Sequence, residues 1–309
     1  MPDASPGYLR LLPVDTLGRL RRLDLIAQGL VEGGVTGRHK SPYKGFSVEF
    51  AEHRQYTRGD DLRNLDWRIY GKIDRYYVKQ YIEETNLRAT ILLDSSGSMA
   101  FTGDTAAKIS GQQASKFVYG QHLAAAFAYL LVSQQDAVGL VTFDSAVRTF
   151  LRARSRASQL RVMLDELDRT QPGAETDVPS VLHEIAERIA RRGLVVIISD
   201  LFSEPSDLIE ALHHFRYRKH EVLLFHVMAD EELTFPFDRW TDFRSLEAAG
   251  INAQLDPKSI RAAYLDKVNE FVRRLELACG QMKVAYVPMN TKYPYDEALA
   301  NYLASRRGR

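Results

Sequence analysis

The residues best suited to chemistry in this 309-residue chain carry oxygen and fall at three places: Asp94-Ser95-Ser96-Gly97-Ser98, Glu175-Thr176-Asp177 and Asp200. Alternate residues of a tight loop project the same way, so Asp94, Ser96 and Ser98 can converge on one point while Gly97 permits the turn. Thr176 and Asp200 complete a set of three hydroxyls and two carboxylates. Such an all-oxygen set suits a hard octahedral cation, Mg²⁺ or Mn²⁺, whereas zinc would call for His or Cys. Two carboxylates about 5 Å apart repel by roughly 3 kcal/mol at an effective dielectric of about 20, a cost that a divalent ion removes.

Positioning these loops requires regular elements, and after Asn86 the pattern supplies them. Apolar, β-branched runs at 88–94, 137–143, 146–151, 194–199, 221–228 and 282–287 read as strands. Amphipathic stretches at about 110–134, 156–169, 178–192, 205–218, 257–279 and 295–306 read as helices. Buried strands separated by helices predict an α/β fold, Rossmann-like and doubly wound, with a mainly parallel sheet covered on both faces. The segment 137–151, turning at Asp144-Ser145, predicts a hairpin that adds one antiparallel edge strand. In such a sheet ligands lie beyond the carboxyl ends of the strands, which is where Asp94, Thr176 and Asp200 are expected.

Ahead of this domain, apolar positions from Leu17 to Val31 recur at helical spacing until Gly33-Gly34. The stretch 35–85 mixes aromatics, charges and turn residues, and reads as short strands with a helical turn near Asp60 to Arg63. The expected division is a small N-terminal irregular or β module, residues 1–85, and an α/β domain, residues 86–309. Lys+Arg total 41 against Asp+Glu 40, a net charge of +1, so no global field argues for nucleic acid or an anionic membrane. The single cysteine, Cys279, excludes an internal disulfide and a cysteine metal cluster. The N-terminus lacks the basic-then-apolar order of an export signal, and the apolar run Leu123–Val132 is half the ~20 residues of a membrane span. These features lead to the expectation of a cytoplasmic protein.

Asp94-x-Ser96-x-Ser98, then Thr176, then Asp200 resembles the metal-ion-dependent adhesion site of the von Willebrand factor type A fold. The resemblance implies serines that ligate the metal directly, aspartates that act largely through water, and an open position for a partner's Asp or Glu. Leu201 stands where that family commonly has glycine, and Ala174-Glu175 replaces its paired glycines. A second set, Gly45-Phe46, Glu49-Phe50, Arg54-x-Tyr56, Gly59-Asp60-Asp61-x-Arg63 and Asp66-Trp67-Arg68, is similar to the signature of the domain of unknown function 58 family. That resemblance implies an adaptor role beside a MoxR-type AAA+ ATPase. Arg54, Tyr56, Arg63, Trp67 and Arg68 form either an internal ion-pair and stacking network or a partner surface.

The plainer reading of the Asp94 loop is a polar turn that caps the next helix. A phosphoaspartate enzyme would place a second aspartate where Ser96 stands. A serine hydrolase would show Gly-x-Ser-x-Gly and a histidine in triad order, and neither is present. His183, His213 and His214 fall in expected helices and His226 in an expected strand. Arg58-Gly59-Asp60 reads as part of a turn. The sequence therefore favours a metal-dependent protein-binding module, without enzymatic activity and without nucleic acid as a partner. The alternatives are a metal-dependent phosphoester hydrolase and a scaffold with a vestigial site.

Overall fold

A computed structural model of the chain describes residues 10–13, 16–20, 49–82, 87–173, 177–244, 246 and 252–307. They belong to two compact units: residues 36–86, and residues 1–35 together with 87–309. The sequence grouping of 1–85 had kept the first residues with the small module. Instead, Leu11, Leu12 and Leu20 are buried in the core of the larger unit. Most of the expected 16–33 helix lies outside the described residues; residues 16–20 are helical.

The small unit pairs β1 (Glu49–Gln55) antiparallel with β2 (Tyr77–Ile82). Between them lie a 3-10 turn at Leu62–Asn64 and helix α1 (Trp67–Ile73). The sequence reading placed its only helical turn near Asp60 to Arg63. The 3-10 turn meets that expectation, and α1 is an additional element that Asp66 caps, its Oδ1 accepting from the N–H groups of Arg68 and Ile69.

The larger unit is built on a six-stranded sheet in the order β12-β9-β8-β3-β6-β7. Its strands are β3 (Arg88–Asp94), β6 (Ala137–Phe143), β7 (Val147–Arg154), β8 (Leu194–Ser199), β9 (Glu221–Met228) and β12 (Ala285–Asn290). All pairings are parallel except β6 with β7. The fold is thus α/β with a mainly parallel sheet. Side chains alternate along β3: Ile91 and Leu93 enter one core and Leu92 the other. The first core lies under α2 (Lys116–Ser133), α3 (Ala157–Arg169) and α8 (Tyr295–Arg307). The second lies under α4 (Val178–Arg188), α5 (Pro205–Tyr217) and α7 (Pro257–Met282).

Two boundaries differ from expectation for local reasons that the structure shows. The helix expected from 110 begins at Lys116, because Ser115 caps it and a hairpin of β4 (Lys108–Ile109) and β5 (Gln112–Gln113) precedes it. The last strand starts at 285 rather than 282, since α7 runs to Met282 and ends at Lys283 in the left-handed region. Helix α6 (Asp230–Thr234) and the hairpin of β10 (Thr241–Arg244) and β11 (Asn252–Leu255) were not anticipated.

Candidate metal centre

The chain leaves β3 towards β6 and returns on the other side of β3 as β8, so strand order reverses between β3 and β8. Asp94 ends β3 and Asp200 follows β8, which puts both carboxylates at the switch point, where a doubly wound sheet opens a crevice. The loop after Asp94 is locked to the sheet by Ser95, whose N–H and hydroxyl both donate to the Phe143 carbonyl, at 2.7 and 2.9 Å. Gly173 donates to the Ser95 carbonyl at 2.6 Å, and a Cβ there would sit 2.4 Å from an oxygen of Asp144. The loop leading to Thr176 is therefore fastened beside the Asp94 loop. Thr176 itself, with Ala174 and Glu175, lies outside the described residues.

Asp94, Ser96, Ser98 and Asp200 are all buried. Ser96 Oγ lies 3.1 Å from Ser98 Oγ, and Ser98 Oγ donates to Asp200 Oδ1 at 3.2 Å. Neighbouring oxygens around an octahedral ion with metal–oxygen distances of about 2.05 Å stand roughly 2.9 Å apart, close to these two hydrogen-bonded separations. Asp94 is placed differently. Its Oδ1 accepts from the Ser96 N–H at 2.8 Å and its Oδ2 from the Ser199 hydroxyl at 2.5 Å, so it braces the loop from behind. Burial, followed by the nearby charge of Asp200, pushes the Asp94 carboxyl up to about 7 despite these bonds.

Sequence reasoning missed three members of this site. Ser199 joins the Asp94 carboxylate to the Leu201 N–H. Lys116 Nζ, with its side chain 3% exposed, donates to Asp200 Oδ2 at 2.7 Å and to Glu232 Oε1 at 2.6 Å. Burial alone would lower the pKa of this ammonium, but Asp200 and Glu232 outweigh it and hold the value above the ordinary one. One signal was available: Lys116 is the only Lys, Arg, Asp or Glu of α2 and stands at the helix N-terminus, the end at which the helix dipole disfavours a cation. Such a lysine implies buried carboxylate partners.

The backbone at Leu201 has φ 55°, the left-handed region, which explains why glycine suits the position. The Leu201 side chain is buried in the second core. His226, in β9, is fully buried and both ring nitrogens are engaged, with Tyr286 Oη at 2.7 Å and the Asp200 carbonyl at 3.1 Å. Burial lowers its pKa to about 4, so it is a neutral core residue. His183, His213 and His214 lie within helices, as expected. Among the described residues, no group of three or more His, Cys, Asp or Glu could hold a metal. The cradle differs in kind, with hydroxyls beside two carboxylates.

In the small unit the signature residues divide. Arg54 donates to Asp60 Oδ1 at 2.7 Å and to Thr57 Oγ1 at 3.0 Å, and Tyr56 lies edge-on to Tyr76. Arg63, Trp67 and Arg68 are exposed.

Fold and site define an α/β protein with an oxygen-lined cradle at the switch point of its sheet. Residues 52–272 match the family described as protein of unknown function DUF58, and the chain belongs to that family. It is 28% identical over 221 residues to uncharacterized proteins of Mycobacterium tuberculosis and Mycobacterium bovis, a match that covers 70% of this chain and 66% of each relative. Among solved structures it is similar to the conserved hypothetical protein BatB of Bacteroides thetaiotaomicron, with 17% identity over 72% of this chain and 99% of that one, TM-score 0.47. A second is an aerotolerance-related membrane protein of Bacteroides fragilis, with 16% identity over 71% of this chain and 100% of that one, TM-score 0.43. No helix among the described residues is long and apolar enough to cross a membrane.

Proposed function

We propose that the larger unit is a von Willebrand factor type A-like domain that binds a protein partner through a Mg²⁺ or Mn²⁺ ion. The spacing of Ser96 Oγ, Ser98 Oγ and Asp200 Oδ1 at the switch point carries this reading. These three oxygens, with Thr176, would hold the ion, and Asp94 would act behind them through water. When bound, the ion supplies a Lewis-acidic position that accepts a carboxylate, and neutral hydroxyl ligands leave it enough charge to do so. The partner then presents an Asp or Glu, and a MoxR-type AAA+ ATPase or its client is the partner we propose. The chain acts as an adaptor rather than an enzyme. His226 is not available as a general base, since its ring nitrogens are engaged by Tyr286 and the Asp200 backbone. Calorimetric titration with Mn²⁺ tests the reading: the wild type binds, and Ser96→Ala with Ser98→Ala does not. Equal binding by both proteins removes the cradle from the account.

One observation favours a second reading, a scaffold with a vestigial site. The Lys116 ammonium already neutralises Asp200, and a divalent ion would lie close to that positive charge. If Lys116 has replaced the metal, neither wild type nor Lys116→Met binds Mn²⁺. If the cradle is a metal site that Lys116 only attenuates, Lys116→Met binds Mn²⁺ more tightly.

A further inference from the structure

In the small unit three described acids are engaged, while a fourth, Asp74 at the end of α1, is exposed beside Tyr70. Asp60 takes Arg54 and both the N–H and the hydroxyl of Thr57. Asp61 caps the 3-10 turn through the Arg63 N–H. Asp66 holds the end of α1 and also meets His53 at 3.0 Å and Lys79 at 3.4 Å. These bonds hold Asp66 down to about 2, the His53 contact contributing most. By contrast, Arg58, Arg63, Arg68, Lys72 and Arg75 are all exposed, and none makes an ion pair with a described residue.

These cations lie within four residues, in sequence, of a line of rings. Trp67 meets Tyr70 edge-on with centroids 6.2 Å apart, Tyr70 stacks on Tyr76 at 4.5 Å, and Tyr76 meets the edge of Tyr56. Trp67 is 64% exposed, and Leu62, five residues before it, and Ile73, six after, are 62% and 56% exposed. Single exposed apolar residues are ordinary, but a contiguous aromatic line with exposed arginines close to it in sequence has the composition of a protein-binding hot spot. Arg68 and Lys72, four residues apart on α1, share one face of it.

We propose that this face docks an acidic segment of a partner protein, with one aromatic or long aliphatic side chain of that segment packing against Trp67. Charge complementarity selects carboxylates, since five exposed cations without an ion pair to a described residue outnumber Asp74, the one exposed acid among the described residues of this unit outside those bonds. A protein segment is favoured over single-stranded nucleic acid because Tyr70 and Tyr76 each spend one ring face on the other, leaving fewer faces for bases. The surface is independent of the metal cradle.

The test uses the full chain carrying Trp240→Phe, which leaves Trp67 as the only tryptophan of the two. The probes are a short peptide of glutamates around one phenylalanine, its lysine counterpart and a uridine oligonucleotide. The glutamate peptide is expected to shift Trp67 emission, equally with and without EDTA. Affinity is expected to fall by about tenfold or more in Arg63→Glu with Arg68→Glu, read by anisotropy of the labelled peptide. Anisotropy with Trp67→Ala is expected to show a similar loss, with circular dichroism confirming the fold. Equal binding of the lysine peptide, tighter binding of the oligonucleotide, or affinity unchanged by the charge reversal each overturns the proposal, as does the absence of any binding. Loss on chelation would assign the binding to the cradle instead.

Discussion

The cradle and the small unit hold similar polar inventories under opposite conditions. At the sheet rim Asp94, Asp200 and Lys116 are buried, and each has specific partners; in the small unit Arg63, Trp67 and Arg68 stand in solvent without an ion pair. A buried charge persists only when paired, so binding at the rim has to exchange one internal partner for another. An exposed charge costs nothing to leave unpaired, so the small unit can bind by simple addition. The rim is thus suited to a gated event and the small unit to a fast, salt-sensitive one.

Removing Lys116 tests this contrast most severely. Lys116→Met leaves Asp200 and Glu232 without their ammonium, and breaking a buried pair on one side lowers stability by about 3–5 kcal/mol. Thermal melting should show a large loss that Mn²⁺ partly restores if the cradle binds cations. A loss that no divalent ion relieves would mean that the rim is built around the lysine.

Leu201 gives the next largest effect. Both Leu201→Ala and Leu201→Gly empty a buried site and should cost about 2–5 kcal/mol. The left-handed φ of 55° reverses the usual order of the two, leaving the glycine variant more stable than the alanine variant by about 1 kcal/mol in urea unfolding. The opposite order would show that the turn relaxes when the side chain is removed.

A pH effect follows from Asp136, before β6. Its Oδ1 accepts from the Leu87 N–H at 3.0 Å, its Oδ2 is buried without a partner, and burial raises its pKa from 3.8 to about 6. The folded state therefore holds this proton more tightly than the unfolded state, so stability falls as pH rises from about 4 through about 6. Asp136→Asn should flatten that slope, a change of about 3 kcal/mol at neutral pH, measured by urea midpoints across the interval. An unchanged slope would assign it to other groups.

The two regions were unequally legible in the sequence. Strands such as 88–94, 194–199 and 221–228 were readable because buried parallel strands are continuous apolar runs, and three of the four described cradle residues do lie together. Ser199 was not readable as a site residue, since a serine at the end of an apolar strand looks like its boundary. Glu232 lay in an ordinary acidic run, and only the tertiary fold carries it to Lys116. In the small unit, helix α1 is too short for its period to register. Whether an arginine there is paired depends on how the turn after β1 folds back, which brings Asp60 to Arg54 and no described acid to the Arg63 side chain. That is why Arg54 and Arg63 looked alike in sequence and differ in the structure.

The smallest expected effect is the sharpest check on that difference. Trp67→Ala removes a ring that is 64% exposed and touches Tyr70 only edge-on, so little apolar area returns to water. Exposed substitutions away from caps and cores change stability by no more than about 0.5 kcal/mol, and that is the expectation for urea unfolding of this variant. An edge-on aromatic pair buried from solvent would add about 0.5–1.5 kcal/mol to the lost burial. A loss beyond about 1.5 kcal/mol would therefore make the ring line a structural brace, with the arginines beside it merely solvated. A near-neutral result leaves Trp67 with no internal task large enough to account for a tryptophan in solvent, and points outward to a partner.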